Sequence, residues 1–132
     1  MSFESIMTLA IEEMEKNAKR FEDDKAGLSP FEFVKVFRTV HLGYGRRTGK
    51  SRYIIESATE NDLILIHRKS HAIIYSLSKA WVSSDLGLHE ASDKPVIFST
   101  VYIDEPYLHS HLESNLEKLI RDTDQTVIKV GA

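Results

Sequence analysis

The chain has no cysteine, and that absence removes a disulfide framework, a thiolate metal site and a cysteine nucleophile together. It has no apolar run near the ~18 residues that a membrane-crossing helix requires. Its N-terminus also lacks the basic-then-apolar pattern of a secretory signal. These features predict a soluble protein that stays where it is made, the cytoplasm. Proline and glycine are sparse, three and six residues, and Gly43, Gly45 and Gly49 fall close together. The rest is ordinary: 132 residues, 42% apolar and 28% charged, suffice for one domain with its own core.

The net charge is only −3, but it is unevenly placed. Residues 1–34 carry −4, residues 35–69 carry +5 and residues 70–132 carry −4. The positive third includes Lys35, Arg38, Arg46, Arg47, Lys50, Arg52, Arg68 and Lys69. A field of that sign favours a polyanion, although solvated side chains in a basic stretch would give the same count.

Phe3, Ile6, Met7, Ala10, Met14, Ala18 and Phe21 recur at three- and four-residue steps, which predicts an amphipathic helix over 3–22. Ser29-Pro30-Phe31-Glu32 predicts a second helix start, with Ser29 as N-cap, Pro30 in the first turn and Glu32 closing a capping box. A strand is expected from Val36 to Leu42, then a glycine-rich turn, a helix over 50–59 and a buried strand over 62–67. Ser70 is positioned to cap a helix to about Ser83 that turns Ala72, Ile73, Leu77, Ala80 and Trp81 inward. A loop over 84–95 leads to a strand within 96–103. Leu108, Leu112, Leu116, Leu119 and Ile120 then mark a final helix, and Thr126–Val130 a final strand. The alternation predicts a three-layer α/β fold with a short, mainly parallel sheet of about four strands, preceded by two helices. Residues 1–35 read as a helical extension and 36–132 as the core of a single domain.

Gly45-Arg46-Arg47-Thr48-Gly49-Lys50-Ser51 sits between the expected strand and helix. In that context glycines let the backbone wrap phosphate, and the helix N-terminus turns free N–H groups to the anion. Lys50 would reach the β- and γ-phosphates, and the Ser51 hydroxyl would hold Mg²⁺. Gly-Lys-Ser alone is a weak signal. The glycine usual five positions before Gly49 is replaced by Tyr44.

Roughly fifty residues later, Thr100-Val101-Tyr102-Ile103 runs into Asp104-Glu105. A carboxylate at the C-terminal end of a buried parallel strand lies beside bound phosphate. Asp104 would contact Mg²⁺ mostly through water. Glu105 would orient or deprotonate the attacking water. The alternative is a solvated acidic pair before Pro106. An arginine near the γ-phosphate can stabilise transition-state charge, a role open to Arg46 and less so to Arg47; both could instead face solvent or an anionic partner.

Together these motifs resemble a P-loop NTPase of the glutamate-switch (ASCE) type. Arg46-Arg47-Thr48-Gly49-Lys50-Ser51 is similar to the variant Walker A of viral large terminase subunits. Leu63-Ile64-Leu65-Ile66-His67-Arg68-Lys69-Ser70 resembles that group's next strand and polar turn, and Val101-Tyr102-Ile103-Asp104-Glu105 its Walker B strand and glutamate. The resemblance covers roughly 36–130. It implies ATP and Mg²⁺ as ligands, Glu105 as catalytic residue and Arg46 acting in cis on the γ-phosphate. It also implies work beside DNA or a nucleoprotein, possible homo-oligomeric assembly and, for a viral source, the host cytoplasm. The group's upstream glutamine motif has no counterpart in 28–42, and no polar coupling motif follows Val130. A small phage- or mobile-element-type ATPase is therefore expected, with no membrane partner, and not a packaging motor.

Two further functions compete. A degenerate nucleotide-binding module that regulates a partner without turnover would tolerate Tyr44. A small-molecule kinase shares the phosphate loop but needs several lid arginines, and Arg121 alone follows Glu105. The histidines at 41, 67, 71, 89, 109 and 111 show no convergent third ligand in sequence. Tyr75, Trp81 and Phe98 read as core or interface.

Overall fold

The first periodic segment forms helix α1 (Phe3–Arg20), which buries Phe3, Met7, Met14 and Ala18. The structure is a computed structural model that describes residues 2–43, 49–67, 73–84 and 97–131. A 3₁₀ segment, Glu22–Gly27, leads to α2 (Pro30–Phe37). The expected cap is present: Ser29 Oγ accepts from Glu32 N and donates to Glu32 Oε1, both at 3.2 Å. That start is strong enough to carry the helix through Val36 and Phe37, and Phe37 stacks on Phe21 at 5.0 Å. The strand expected from Val36 is correspondingly shorter, and β1 is Thr39–Leu42.

Among the described residues the remaining elements are α3 (Lys50–Ser57), β2 (Leu63–Ile66), β3 (Trp81–Ser84), β4 (Thr100–Asp104), α4 (Leu112–Leu119) and β5 (Thr126–Val130). The five strands form one parallel sheet in the order β1-β5-β4-β2-β3. The chain is therefore α/β, with one strand more than expected.

The extra strand replaces a helix. Residues 73–77 form turns, and Trp81–Ser84 pairs with Leu63–Ile66. Ile73 and Leu77, expected inward, are 79% and 85% exposed, whereas Tyr75 is fully buried. Helical spacing of apolar residues over 72–81 was therefore misleading. The ladder that β2 offers along its free edge satisfies the backbone of 81–84. Ser70 and the loop over 85–95 lie outside the described residues. The last helix is also shorter than expected: it starts at Leu112, with Leu108 outside it and 44% exposed.

Strand periodicity divides the core in two. Val40, Ile64, Ile66, Tyr102, Ile128 and Val130 face one side, where α1 and α3 add Met7, Met14 and Ile54. Leu63, Leu65, Val101, Ile103 and Val127 face the other, against Val34 of α2 and Leu116 and Leu119 of α4. All four residues of β2 are buried, as a parallel strand covered on both faces requires. Buried polar groups tie the N-terminal edge of the sheet. Asp62 accepts from Thr59 N (2.8 Å) and Thr100 N (3.0 Å).

The connection through α3 leaves β1 towards β2, and the one through α4 returns from β4 to β5 on the opposite face. The strand order thus reverses around β5. In open parallel sheets, ligands bind in the crevice outside the carboxyl ends of the strands at such a point.

Candidate functional site

Gly49 begins the site. It precedes α3 with φ +86°, a left-handed conformation that side chains rarely adopt. A Cβ there would meet nothing within 4 Å, so the backbone angle and not the space calls for glycine. The turn delivers Lys50 and Ser51 to the first turn of α3, with Lys50 only 8% exposed although charged.

The other half comes from β4. Side chains alternate along it, so Asp104 points to the same face as Tyr102, that of α1 and α3. Asp104 is 5% exposed. Glu105 follows with φ +51°, in a left-handed region that costs a non-glycine residue energy and recurs at functional sites. Its N–H donates to Val130 O at 2.8 Å, which holds the turn against β5. The carboxylate so aimed accepts a hydrogen bond from Lys50 Nζ, an ion pair between residues far apart in sequence.

Gly131 lies between them. Its N–H donates to Leu42 O at 2.9 Å, so the ends of β1, β5 and β4 are laced together in that order. Its φ is +110°, and a Cβ would stand 2.6 Å from Glu105 Oε2 and 3.2 Å from Lys50 Nζ. Here the angle calls for glycine, and a Cβ would also push the Glu105 carboxylate away from Lys50.

Two histidines brace the same backbone. A carbonyl only accepts, so Nε2 carries the proton in each: His41 donates to Gly131 O and His109 to Asp104 O, both at 2.9 Å. The expected placing of His109 and His111 on one helix does not hold. His109 follows the 3₁₀ turn Pro106–Leu108, and His111 precedes α4 with φ +57°.

Tyr75 joins the two halves. Its hydroxyl donates to Asp104 Oδ2 at 2.8 Å and also meets the Ser51 hydroxyl. Burial pushes its pKa well up, and the negative charge of Asp104 pushes it further. The phenol is therefore a neutral donor. Asp104 Oδ1, the other carboxylate oxygen, is buried with no hydrogen-bond partner among the described residues.

These residues fit Mg²⁺. The ion takes oxygen ligands, keeps several waters and relies on one or two carboxylates with substrate phosphates, not on an all-protein cage. Asp104 and Ser51 offer oxygen, and a buried carboxylate oxygen without a partner is costly unless something polar meets it. Among the described residues there is no cluster of three or more His, Cys, Asp or Glu side chains shaped for a cation.

The structure thus brings together Gly49, Lys50, Ser51, Asp104 and Glu105. Gly45, Arg46, Arg47 and Thr48 lie outside the described residues, as does Tyr44. The basic third divides: Arg38 reaches Gln125 O (3.0 Å) and Thr126 Oγ1 (2.9 Å), at the sheet edge opposite the site. Sequence reasoning missed Tyr75, Gly131, His41 and His109. Tyr75 sits in an apolar stretch indistinguishable from core, and Gly131 had only the signal of a glycine directly after a strand. No protein-family model matches the chain, and no curated protein matches it either.

Proposed function

We propose that the chain binds ATP, or another nucleoside triphosphate, with Mg²⁺ and hydrolyses it, on a P-loop NTPase fold of the glutamate-switch type. The observation that carries this reading is the meeting of Lys50 and Ser51 at the start of α3 with Asp104 and Glu105 at the end of β4. A phosphate loop and a Walker B strand need that juxtaposition, and nothing in local sequence enforces it.

In this reading Gly45–Ser51 wrap the phosphates and Lys50 holds the β- and γ-phosphates. Ser51 and Asp104 would hold Mg²⁺, which would neutralise charge developing on the phosphate oxygens. Glu105 accepts a proton from water as that water bonds to the γ-phosphorus. The bond to the bridging oxygen breaks, and ADP leaves with its electrons. Arg46 offsets transition-state charge. A DNA or nucleoprotein partner and assembly with further copies belong to the same proposal, in line with the terminase-like motifs.

The test is calorimetric titration of ATP and ADP, with Mg²⁺, into the native protein and Lys50→Ala. Loss of a buried charge-assisted phosphate contact should cost roughly 2–5 kcal/mol. A native protein that binds neither nucleotide overturns the reading. One observation favours the second reading, a regulatory module without turnover: the Glu105 carboxylate rests on Lys50, where a phosphate would sit. Binding without measurable phosphate release, in the presence or absence of DNA, would select it.

A further inference from the structure

We infer that Tyr75 is the positioning residue of the magnesium site, fixing which oxygen of Asp104 is offered to the metal. The inference rests on the nucleotide-binding reading and extends it to a residue outside both Walker motifs.

Three observations carry it. The Tyr75 hydroxyl donates to Asp104 Oδ2 at 2.8 Å, which occupies that oxygen and prevents the carboxylate from rotating freely. Oδ1 is left buried and without a hydrogen-bond partner among the described residues, the state of an oxygen awaiting a hydrated cation. The same phenol also interacts with the hydroxyl of Ser51, the second oxygen donor.

The chemistry suits the task. An ordinary phenol ionises only near pH 10, so it donates throughout the neutral range and does not compete as an anion for the metal. The Tyr75 ring is fully buried within the α1–α3 core cluster, so the hydroxyl is held by packing and not by a mobile side chain. Partners that orient metal ligands in this way typically change metal affinity by about 10- to 100-fold when removed.

The experiment compares native protein, Tyr75→Phe and Ser51→Ala by calorimetry, titrating ATP at a series of Mg²⁺ concentrations and again in chelator. The expected result is a Tyr75→Phe protein that needs about tenfold more Mg²⁺ for half-maximal ATP binding. Its metal-free ATP affinity should stay within about twofold of native, and Ser51→Ala should move the same quantity. An unchanged Mg²⁺ requirement in Tyr75→Phe overturns the inference while the nucleotide reading stands. So does an equal loss of affinity with and without metal, the mark of a merely structural role. Failure of the native protein to bind ATP at all removes the nucleotide reading and this inference with it.

A second measurement needs no variant. With ATP present, Mn²⁺ in place of Mg²⁺ should broaden the Tyr75 ring resonances before those of Tyr53 and Tyr102. Equal broadening of all three would overturn the assignment.

Discussion

Lys50 and Glu105 form an ion pair directly over Gly131, where a Cβ would stand 2.6 Å from one partner and 3.2 Å from the other. The pair makes three strand ends interdependent. Lys50 follows β1, Glu105 follows β4, and Gly131 follows β5.

Gly131→Ala should therefore disturb the pair as well as the backbone. A left-handed angle alone costs an alanine about 1–2 kcal/mol, and the Cβ would press on the end of the flexible Glu105 side chain, which can swing away from Lys50 at little further cost. Gly49→Ala carries the cost of the angle without that contact, because its Cβ would enter open space. Urea unfolding of both variants checks this. Destabilisation of Gly131→Ala well beyond that of Gly49→Ala would mean that the Glu105 carboxylate cannot move aside.

Glu105→Gln removes the charge that occupies Lys50. Affinity for Mg²⁺·ADP, which cannot report on trapped hydrolysis, should rise by about tenfold, since a native carboxylate no longer competes with phosphate. Turnover should fall by at least about 10²-fold with loss of the general base. Native rates of phosphate release in this variant would remove Glu105 from the mechanism.

The pH dependence of stability at high pH follows above all from two buried phenols, with the half-buried Tyr53 adding to it. Burial raises the pKa of both Tyr75 and Tyr102, with Asp104 and Asp62 respectively adding to it. The unfolded chain ionises near pH 10 while the folded protein still holds these protons, so stability is fully present below about pH 10 and falls above it. Each phenol contributes a slope of about 1.4 kcal/mol per pH unit. Urea midpoints measured between pH 9 and 11 should fall accordingly, and Tyr75→Phe should make the slope clearly shallower. A profile in Tyr75→Phe as steep as native would show that its phenol is not held neutral.

Gln125 offers a control remote from the chemistry. Its amide is fully buried and saturated: Oε1 accepts from Arg121 N (2.7 Å) and Asp122 N (2.9 Å), and Nε2 donates to Phe98 O (2.9 Å) and Leu119 O (3.2 Å). Gln125→Ala strands these partners and should cost roughly 3 kcal/mol or more. Because the residue lies at the opposite edge of the sheet, nucleotide affinity of the folded fraction should be unchanged. An affinity loss matching that of Lys50→Ala would show that the two edges are coupled.

Local signals in the sequence determined much of this protein. The Ser29 cap, the Pro30 start, the continuous apolar run of β2 and the stripe of α1 are each settled within a few residues. Torsional preference, capping and burial period act at that range. The places of Lys50 at a helix start and of Asp104-Glu105 at a strand end were legible for a similar reason, because the glycine before one and the apolar run before the other are local signals. Strand β3 was not legible. Its four residues follow a helix-like spacing, and only the parallel ladder to Leu63–Ile66 makes them a strand. Nor were the bond from Tyr75 to Asp104, the histidines bracing the carbonyls of Gly131 and Asp104, or the need for glycine at 131. Each depends on how close two distant segments come, and only the order β1-β5-β4-β2-β3 sets those distances.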